Sequence, residues 1–462
     1  MVQENFDAIV IGAGQAGPSL AARCGEAGLR VAFIERHLLG GTCVNTGCFP
    51  TKTLVASARA VHLARRGEEF GFETGPVRVD MRRVKARMDG VVAAARSGLE
   101  DWVRGMKGVE WITGHACFTA PRTVRVGERE LKADRIFINV GARAARPPLN
   151  GIDNVSTLDN ASVLQLQEVP RHLVIVGGSY IGLEFAQLMR RFGAEVSVVE
   201  RSPRLLPRED TDVAAEVQAI LEREGVRFHL GAECIAFAPG EAAVRVRAHC
   251  GPQDVWLEGS HVLLAMGRTP NTGDLGLEAA GIRADARGFI EVDDQCRTSA
   301  EGVWAVGECN GRGAFTHTAW DDHEIVAANV LRGETRSLRD RVPCYALFID
   351  PPLGRAGMNE EQVRATGRPA LVGKRAMRRV GRAKESGETQ GFMKVLVDAQ
   401  TRRILGASLL GLAGDEVVHV LLDAIVHGTT ATALARTMHI HPTVAELIPT
   451  LLQELQPLEE GA

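Results

Sequence analysis

The sequence predicts an α/β protein with two βαβ units, followed by a C-terminal α+β part. Three observations in the 462 residues support this prediction. A glycine-rich turn between two β-branched strands occurs near residue 12 and again near residue 177. Two cysteines, Cys43 and Cys48, follow the first unit closely. Strand patterns separated by turns, and then helical patterns, fill the last third of the chain.

Composition narrows the class of protein. Hydrophobic residues make up 45% and charged residues 24%, as expected for a globular chain with a sizeable core. No run of about 18 apolar residues is present, so we expect no membrane span. The first residues lack a secretory signal pattern, which favours a cytoplasmic protein. The net charge is −3, so nucleic acid is not an expected partner. The basic run from Arg375 to Lys384 is interpreted as a solvent-exposed face of the protein, in preference to the rim of a site for an anionic substrate.

The two glycine-rich segments form an internal repeat. They begin at Asp7 and His172, and each contains a strand, a glycine turn, an amphipathic helix, a glycine stop and a second strand. Matched positions are 165 residues apart, and the pairs are Gly12 with Gly177, Gly17 with Gly182, and Glu35 with Glu200. Two complete units with matched acidic ends predict two dinucleotide sites of the Rossmann type.

The spacing of the first glycines suits a dinucleotide. Gly12 permits a tight turn, Gly14 lets the backbone approach a pyrophosphate, and Gly17 lets the helix pack closely on the strand. The phosphates then meet free N–H groups at a helix N-terminus. Glu35 ends the second strand, where its carboxylate can accept from ribose hydroxyls. In the second unit Ser179 occupies the middle position, which narrows the space beside the phosphate and requires a negative φ.

Two dinucleotide sites in one chain indicate a flavin and a nicotinamide. The cysteine pair lies after the first unit, where a reducible group can receive electrons from a flavin. Glu200 is expected to accept from a free ribose 2′-OH and to repel a 2′-phosphate. The expected cofactors are therefore FAD and NADH, while Arg201 and Arg204 keep NADPH possible.

Three interpretations are open for Cys43 and Cys48, which lie in the stretch from Gly40 to Lys52. A metal clip normally needs a second Cys or His pair, which the sequence does not offer, and no metal site is expected. A structural disulfide across so short a loop adds little stability and is disfavoured in the cytosol. A catalytic dithiol is favoured, because a helix start stabilises a thiolate and a distorted turn at Gly47 strains the disulfide.

This segment resembles the redox motif of the FAD-dependent pyridine nucleotide–disulfide oxidoreductases. That family includes dihydrolipoamide dehydrogenase, glutathione reductase and mercuric reductase, and the resemblance extends over essentially the whole chain. It implies that Cys48 faces the flavin as a charge-transfer thiolate and that Cys43 exchanges with substrate. It also implies that Lys52 lies near flavin N5 and pairs with Glu184, and that Tyr180 covers the empty nicotinamide pocket.

Later stretches resemble other landmarks of this family. Ile138 to Pro148 resembles the crossover into the nicotinamide domain, and Leu263 to Thr272 resembles the return. Gly302 to Asn310 resembles the second flavin motif, with Glu308 where the family usually has Asp. Phe315 to Glu324 resembles the helix whose N-terminal amides face the flavin pyrimidine. The other cofactor-binding residues expected from the resemblance are Gly41, Thr42, Gly141, Gly267, Arg268, Gly307 and His317.

These landmarks divide the chain into four segments. Residues 1–150 and 272–340 are expected to form the FAD-binding domain, 151–271 the NAD(P)-binding domain, and 341–462 a dimerisation domain. Val342 to Met358 and Gly391 to Gly411 are typical of antiparallel strands, and helical stretches follow, so the last segment is predicted to be α+β. The resemblance implies that this domain forms a twofold homodimer.

The stretch from Met438 to Leu451 contains a candidate acid–base pair. His441 precedes Pro442, and a helix starting after the proline would let Glu446 hold one imidazole tautomer. The arrangement resembles the His-Pro…Glu motif of the family. It implies that the histidine reaches the cysteine pair of the partner subunit.

The resemblance implies an NAD(P)H oxidoreductase that passes electrons through a Cys43–Cys48 disulfide to a small disulfide or a metal ion. The core motif is mercuric-reductase-like, but the chain lacks the C-terminal cysteine pair of those enzymes. "DPPLGRAGM" and "FTHTAWDDHE" look more like bacterial oxidative-stress flavoenzymes, including reactive-chlorine-induced reductases that act on copper. Dihydrolipoamide dehydrogenase is the alternative enzyme, and a flavin-bearing redox sensor or complex subunit is the alternative of another class.

Overall fold

Three large sheets organise the chain in a computed structural model that describes residues 2–250 and 253–459. Two of these sheets are built on parallel strands, and the third is antiparallel. Within the described residues, no helix combines the length and the apolar content needed to cross a bilayer.

The elements have the following bounds. The strands are β1 Val2–Ile11, β2 Val31–Glu35, β3 Val109–Thr113, β4 Ala116–Ala120, β5 Thr123–Val126, β6 Arg129–Ile138, β7 Ala142–Ala144, β8 His172–Val176, β9 Glu195–Val199, β10 Val226–His229, β11 Ala232–Gly240, β12 Ala243–Cys250, β13 Gln253–Gly259, β14 His261–Leu264, β15 Arg268–Pro270, β16 Val303–Ala305, β17 Cys344–Leu347, β18 Leu353–Gly357, β19 Ala370–Ala376, β20 Phe392–Asp398, β21 Ile404–Leu410 and β22 Gln456–Pro457. The helices are α1 Gly17–Glu26, α2 Gly41–Thr46, α3 Cys48–Arg65, α4 Met81–Arg104, α5 Tyr180–Phe192, α6 Thr211–Arg223, α7 Thr316–Arg332, α8 Glu360–Ala365, α9 Gly381–Glu385, α10 Gly414–Val426, α11 Ala431–Leu434 and α12 Ile448–Gln453. Short 3-10 turns lie at Gly67–Phe70, Ile152–Asn154, Val163–Gln165, Leu277–Ala280, Glu308–Asn310, Leu338–Asp340, Met377–Arg379 and Ala445–Leu447.

The first sheet has the order β3-β2-β1-β6-β5-β4, with β16 beside β6. Its central strands run parallel and are buried on both faces, which explains their continuous β-branched and apolar sequences. Gly12 follows β1 with φ +100, and a Cβ there would lie 2.3 Å from the carbonyl oxygen of Asn139. Only glycine fits this turn without strain. Pro18 lies in the first turn of α1, where its missing N–H costs no helical bond.

The second sheet repeats the first on a smaller scale. Its order is β10-β9-β8-β14, all parallel, and a β11-β12-β13 meander adjoins it. Gly177 follows β8 with φ +117, and a Cβ there would lie 2.4 Å from the carbonyl oxygen of Ala265. Ser179 has φ −113, the negative value that a serine at this position requires. The predicted pair of βαβ units is therefore confirmed.

The C-terminal part is a six-stranded antiparallel sheet with helices on it. The order is β17-β18-β21-β20-β19-β22. The hairpins β17–β18 and β20–β21 occupy the two stretches for which antiparallel strands were predicted. Apolar residues of α10 and α12 pack with these strands in one buried cluster. The predicted α+β character of this part is confirmed.

The first and second sheets are joined by two crossing strands. One crossing is β7, the other is β15, and they pair with each other as a short antiparallel ribbon. Because the parallel strands β1, β2, β6 and β16 all end on the same side, the loops that follow them meet at one edge of the first sheet. Ligands of open α/β sheets bind at such an edge.

Candidate active site

A cavity of about 1590 Å³ lies at this edge and extends towards the second sheet and the antiparallel sheet. Its volume exceeds the roughly 300–1,000 Å³ of a typical small-ligand pocket, so it suits an extended dinucleotide. The predicted site residues that line it are Gly12, Gly14, Glu35, Gly41, Thr42, Cys43, Cys48, Lys52, Gly141, Ser179, Tyr180, Glu184, Gly267, Arg268, Glu308 and His317.

The remaining predicted residues do not belong to the lining of this cavity. They are Gly17, Gly177, Gly182, Glu200, Gly307, His441 and Glu446. Gly17 and Gly182 serve the packing of helix against strand, because a Cβ on either would lie 2.0 Å from the oxygen of the first glycine in its turn. Gly307 has φ +74 and adjoins the amide of Asn139, beneath the first turn.

The acidic residues at the two strand ends make the same hydrogen bond. Glu35 accepts from the N–H of Ala13 at 2.7 Å, and Glu200 accepts from the N–H of Gly178 at 2.6 Å. Each donor directly follows the first glycine of its turn. Both carboxylates are thus fixed beside a glycine turn, where the ribose of a bound dinucleotide lies.

Asn139 links the first glycine turn to the later flavin motif, and sequence reasoning did not single it out. Its side-chain oxygen accepts from the N–H of Gly17 at 3.0 Å, and its amide donates to the oxygen of Val306 at 3.1 Å. The residue is buried, so both bonds are shielded from water. A polar residue directly after the buried strand β6 was the available signal.

Glu308 forms an ion pair at the cavity wall. Its Oε1 accepts from Nε of Arg268 at 2.6 Å, and Arg268 also donates to the oxygen of Ala142 at 2.5 Å. The pair joins the return crossing to the second flavin motif. The longer side chain of Glu308, compared with the usual Asp, reaches this arginine.

The cysteine pair lies at a break between two helices. Helix α2 ends at Thr46 and α3 begins at Cys48, while Gly47 between them has φ −135 and ψ −110. A regular helix would separate residues five apart by roughly 7.5 Å along its axis. The break instead places Cys43 close enough to Cys48 for each thiol to shift the pKa of the other. The predicted distortion of this turn is present.

The two thiols differ in acidity. The hydrogen bond from Cys43 lowers the pKa of Cys48 to about 6, against the opposing effect of burial. Thr316, whose Oγ1 lies 3.3 Å from Cys48 Sγ, and the ammonium of Lys52 lower that pKa further. The same hydrogen bond raises the pKa of Cys43. At neutral pH the reduced pair is therefore a Cys48 thiolate beside a Cys43 thiol.

Lys52 and Glu184 form the ion pair that the resemblance implies. Lys52 Nζ lies 2.6 Å from Glu184 Oε2, and Glu184 Oε1 accepts from the N–H of Phe348 at 3.0 Å. The ammonium also lies 4.4 Å from the centre of the Phe348 ring. Glu184 is buried, so these contacts satisfy a carboxylate that would otherwise be costly to place there.

Helix α7 begins at the cavity beside the cysteines. Its first residue, Thr316, contacts Cys48, and the next, His317, lies 2.6 Å from the oxygen of Cys344 through Nε2. Burial lowers the pKa of His317, so its imidazole is neutral and Nε2–H donates in this bond. The ring of His317 stacks on Phe315 with centroids 5.3 Å apart.

The predicted acid–base pair lies on an exposed segment. His441 Nδ1 is 2.8 Å from Glu446 Oε2, which is the contact expected from the spacing. The side chain of His441 is 81% exposed, and the neighbouring Met438 and Ile440 are 95% and 80% exposed. The pair lies apart from the cavity of its own chain, and its segment offers apolar side chains to solvent.

Comparisons with known proteins extend over the whole of this architecture. The pyridine nucleotide-disulphide oxidoreductase family matches residues 6–322, and the dimerisation domain of that family matches residues 344–452. Dihydrolipoyl dehydrogenase 3 of Pseudomonas aeruginosa is 36% identical over 458 residues, 97% of this chain and 97% of the relative. The probable pyridine nucleotide-disulfide oxidoreductase RclA of Escherichia coli is 36% identical over 455 residues, 96% of this chain and 98% of the relative. The structure of the Cu(II) complex of HOCl-induced flavoprotein disulfide reductase RclA from Escherichia coli matches with a TM-score of 0.88 at 34% identity, covering 97% of this chain and 99% of that one.

Proposed function

This chain belongs to the pyridine nucleotide-disulphide oxidoreductase family, and we propose that it reduces a small disulfide or a thiophilic metal ion with electrons from NAD(P)H. The family binds FAD and NAD(P)H. The observation that carries the proposal is the cysteine pair in the cavity lining, where the break at Gly47 sets Cys43 beside Cys48. The contact with Cys43 lowers the pKa of Cys48 to about 6, which favours a reactive thiolate.

The residues of the first unit fit FAD. The Gly12 turn leaves no room for a Cβ, Glu35 ends the second strand, and the Arg268–Glu308 pair lines the same cavity. When bound, FAD supplies a carrier that takes a hydride from a nicotinamide and passes two electrons onward. Gly12, Glu35 and Glu308 would hold its phosphates and hydroxyls, and Lys52 would lie near its ring.

The chemistry at the cysteines balances as a disulfide exchange. Two electrons and a proton convert the Cys43–Cys48 disulfide into the Cys48 thiolate and the Cys43 thiol. After losing its proton to a base, Cys43 attacks one sulfur of the substrate disulfide and releases the first substrate thiolate. Cys48 then attacks Cys43, reforms the disulfide and releases the second thiolate. With a metal acceptor such as Cu(II), two ions would each take one electron.

The base in this scheme is His441 of the partner subunit. Glu446 accepts from Nδ1–H, which leaves Nε2 free to take the proton of Cys43 and to return it to the leaving thiolate. The exposure of His441, Met438 and Ile440 supports this assignment, because an exposed apolar segment is typical of an interface. We therefore infer a homodimer with two shared sites.

NADH is the proposed reductant. Glu200 is fixed by the N–H groups of Gly178 and Ser202, where it would accept from a 2′-OH and repel a 2′-phosphate. Arg204 donates to Thr211 and to the oxygen of Pro207, so its guanidinium is engaged within its own loop. Arg201 follows Glu200 directly and is exposed, so a 2′-phosphate there would meet its guanidinium.

A panel of acceptors tests the proposal. The purified flavoprotein is assayed for NADH oxidation with lipoamide, glutathione disulfide, small-thiol disulfides, Cu(II) and Hg(II). We expect at least one acceptor to raise the rate above the oxygen background, and Cys48→Ser to abolish that increase. Cys234→Ser, an exposed cysteine on β11, is the matched control and should keep the rate. If no acceptor raises the rate, a redox sensor or complex subunit replaces the enzyme proposal.

Dihydrolipoamide dehydrogenase is the second candidate. The curated relative from Pseudomonas aeruginosa that bears this name covers 97% of the chain at 36% identity. Lipoamide reduction that is fast, and reversible with dihydrolipoamide and NAD⁺, would favour it. Fast turnover with Cu(II) or a small disulfide and slow turnover with lipoamide would favour the first proposal.

A further inference from the structure

The chain has two tyrosines, and both donate to the same carboxylate oxygen. Tyr180 begins α5 and Tyr345 lies on β17, and their hydroxyls are 3.0 Å and 2.7 Å from Glu209 Oε1. Burial raises the pKa of both tyrosines, so both hydroxyls keep their protons and act as donors. A single oxygen thus joins the second sheet to the antiparallel sheet at the cavity wall.

Glu209 is held rigidly in place. Its side chain is fully buried, and the next residue, Asp210, lies 2.7 Å from Nζ of Lys394 on β20. The same ammonium lies 2.6 Å from Asp212 and 2.7 Å from Glu360. Three carboxylates and one ammonium therefore fix this loop to the antiparallel sheet, so Glu209 cannot follow a side chain that moves away.

Tyr180 lies on the route that a nicotinamide must take. It follows Ser179 of the second glycine turn, and Glu184 lies one helical turn further on the same face of α5. Tyr180 and Glu184 both line the cavity. The Tyr180 ring meets Phe315 edge-on, with centroids 6.0 Å apart, and so closes the space between α5 and α7. The Tyr180 ring thus stands in the cavity lining between the second glycine turn and the Lys52–Glu184 pair.

We propose that Glu209 is a positioning residue that latches Tyr180 across the nicotinamide route. Binding of the nicotinamide breaks the bond between Tyr180 and Glu209 and swings the ring aside. Tyr345 continues to donate to Glu209 when Tyr180 leaves, so the buried carboxylate keeps a partner in the open state. The latch rests on the proposed use of NAD(P)H and adds the residue that sets how readily the pocket opens.

The test measures the affinity of the holoenzyme for NADH, by anaerobic stopped-flow reduction of the flavin, and for NAD⁺, by calorimetry. The variants are Tyr180→Phe, which keeps the ring, Glu209→Gln, and the double variant. Tyr180→Phe removes the latch hydrogen bond and raises the open population, so it should bind NADH and NAD⁺ roughly threefold to tenfold more tightly. Glu209→Gln replaces a charged acceptor with a neutral one, so it should tighten binding in the same direction by a smaller factor. The double variant should gain no more than Tyr180→Phe alone, because Glu209→Gln acts through the hydrogen bond that Tyr180→Phe already removes.

The direction of the change separates a latch from a structural role. A merely structural defect weakens binding, whereas a broken latch strengthens it. Glu216→Gln on the surface of α6 is the matched control and should leave both affinities unchanged. Unchanged or weaker binding in Tyr180→Phe, or additive effects in the double variant, would overturn the proposal. If Glu209→Gln does not fold, Tyr180→Phe alone decides.

Failure of the latch and failure of the proposed function give different results. If the wild-type protein binds neither NADH nor NAD⁺, the proposed use of nicotinamide fails and the latch fails with it. If the wild type binds NADH and the variants show the wild-type affinity, only the latch fails.

Discussion

Cys48 is the residue on which the proposed chemistry depends. Its thiolate is stabilised by the Cys43 thiol, by Thr316 and by the Lys52 ammonium, whereas burial alone raises the pKa of Cys24 to about 12. The same residue type is therefore reactive at one position and inert at another. The difference comes from hydrogen bonds and charge, not from exposure alone.

The charge-transfer absorbance of the bound flavin distinguishes the two cysteines. Cys43→Ser leaves Cys48 as a free thiolate, with a hydroxyl available to replace the Cys43 hydrogen bond. We expect a long-wavelength absorbance in this variant at pH 8 without added reductant. Cys48→Ser should show none, and a band in Cys48→Ser but not in Cys43→Ser would reverse the two roles.

The pH dependence of the reduced enzyme follows from the lowered pKa of Cys48. Because this pKa is about 6, the thiolate is present above pH 6 and is lost as the pH falls through that value. In the two-electron-reduced wild type, the long-wavelength absorbance should fall roughly tenfold between pH 7.5 and pH 5. A midpoint near 9, the ordinary value of a thiol, would contradict the hydrogen bond from Cys43.

At the scale of elements, each glycine turn joins a strand to a helix at a proposed phosphate site. Both turns use a first glycine with positive φ and a third glycine packed on the oxygen of the first. Helix α3 is positioned differently. The non-helical residue Gly47 ends α2, so α3 begins at Cys48. The positions of reactive groups thus follow from where elements begin and end.

Gly12→Ala tests the first turn. A Cβ there would lie 2.3 Å from a backbone oxygen, so we expect the variant to lose FAD, seen as a lower flavin-to-protein ratio. Gly28→Ala is the matched control, because Gly28 also has positive φ but open space around it. The control should lose about 1 kcal/mol of stability and keep its flavin. Equal flavin loss in both variants would mean that backbone strain, and not the clash, empties the site.

The sequence alone was sufficient to predict the βαβ units and the contacts between residues that are close in the chain. Both follow from the spacing of residues along the sequence. The βαβ repeat, the break at Gly47 and the contact between His441 and Glu446 are examples. Asn139 was marked only by its polar side chain directly after β6, and Thr316 and the Glu209 latch could not be found this way. Each acts through partners that are distant in sequence, and no local period marks them.

At the scale of the molecule, the proposed shared site combines two groups that lie apart in a single chain. The cysteine pair lines the cavity, and His441 stands on an exposed apolar segment. Within the basic run near this segment, Arg382 donates to the oxygen of Pro442 at 2.8 Å, so it positions the histidine loop. Arg378 and Arg379 are exposed, as a solvated face requires.

The segment boundaries at 150, 271 and 340 stay predictions.

Mixed dimers test whether the site is shared. A His441→Ala subunit is co-expressed with a Cys48→Ser subunit, and the heterodimer is isolated through two different tags. One of its two sites then has an intact cysteine pair and an intact histidine, so we expect about half of the wild-type rate, while each variant homodimer is inactive. A heterodimer as inactive as the homodimers would place the histidine and the cysteines in one subunit.

Anaerobic addition of one equivalent of NADH to the oxidised holoenzyme tests the central claim most directly. The thiols formed are alkylated and located by mass spectrometry while the flavin spectrum is recorded. The account predicts new alkylation at Cys43 and Cys48 together, with the flavin still oxidised and a long-wavelength band present. Full bleaching of the flavin by the first equivalent, with no new thiol at either cysteine, would contradict it.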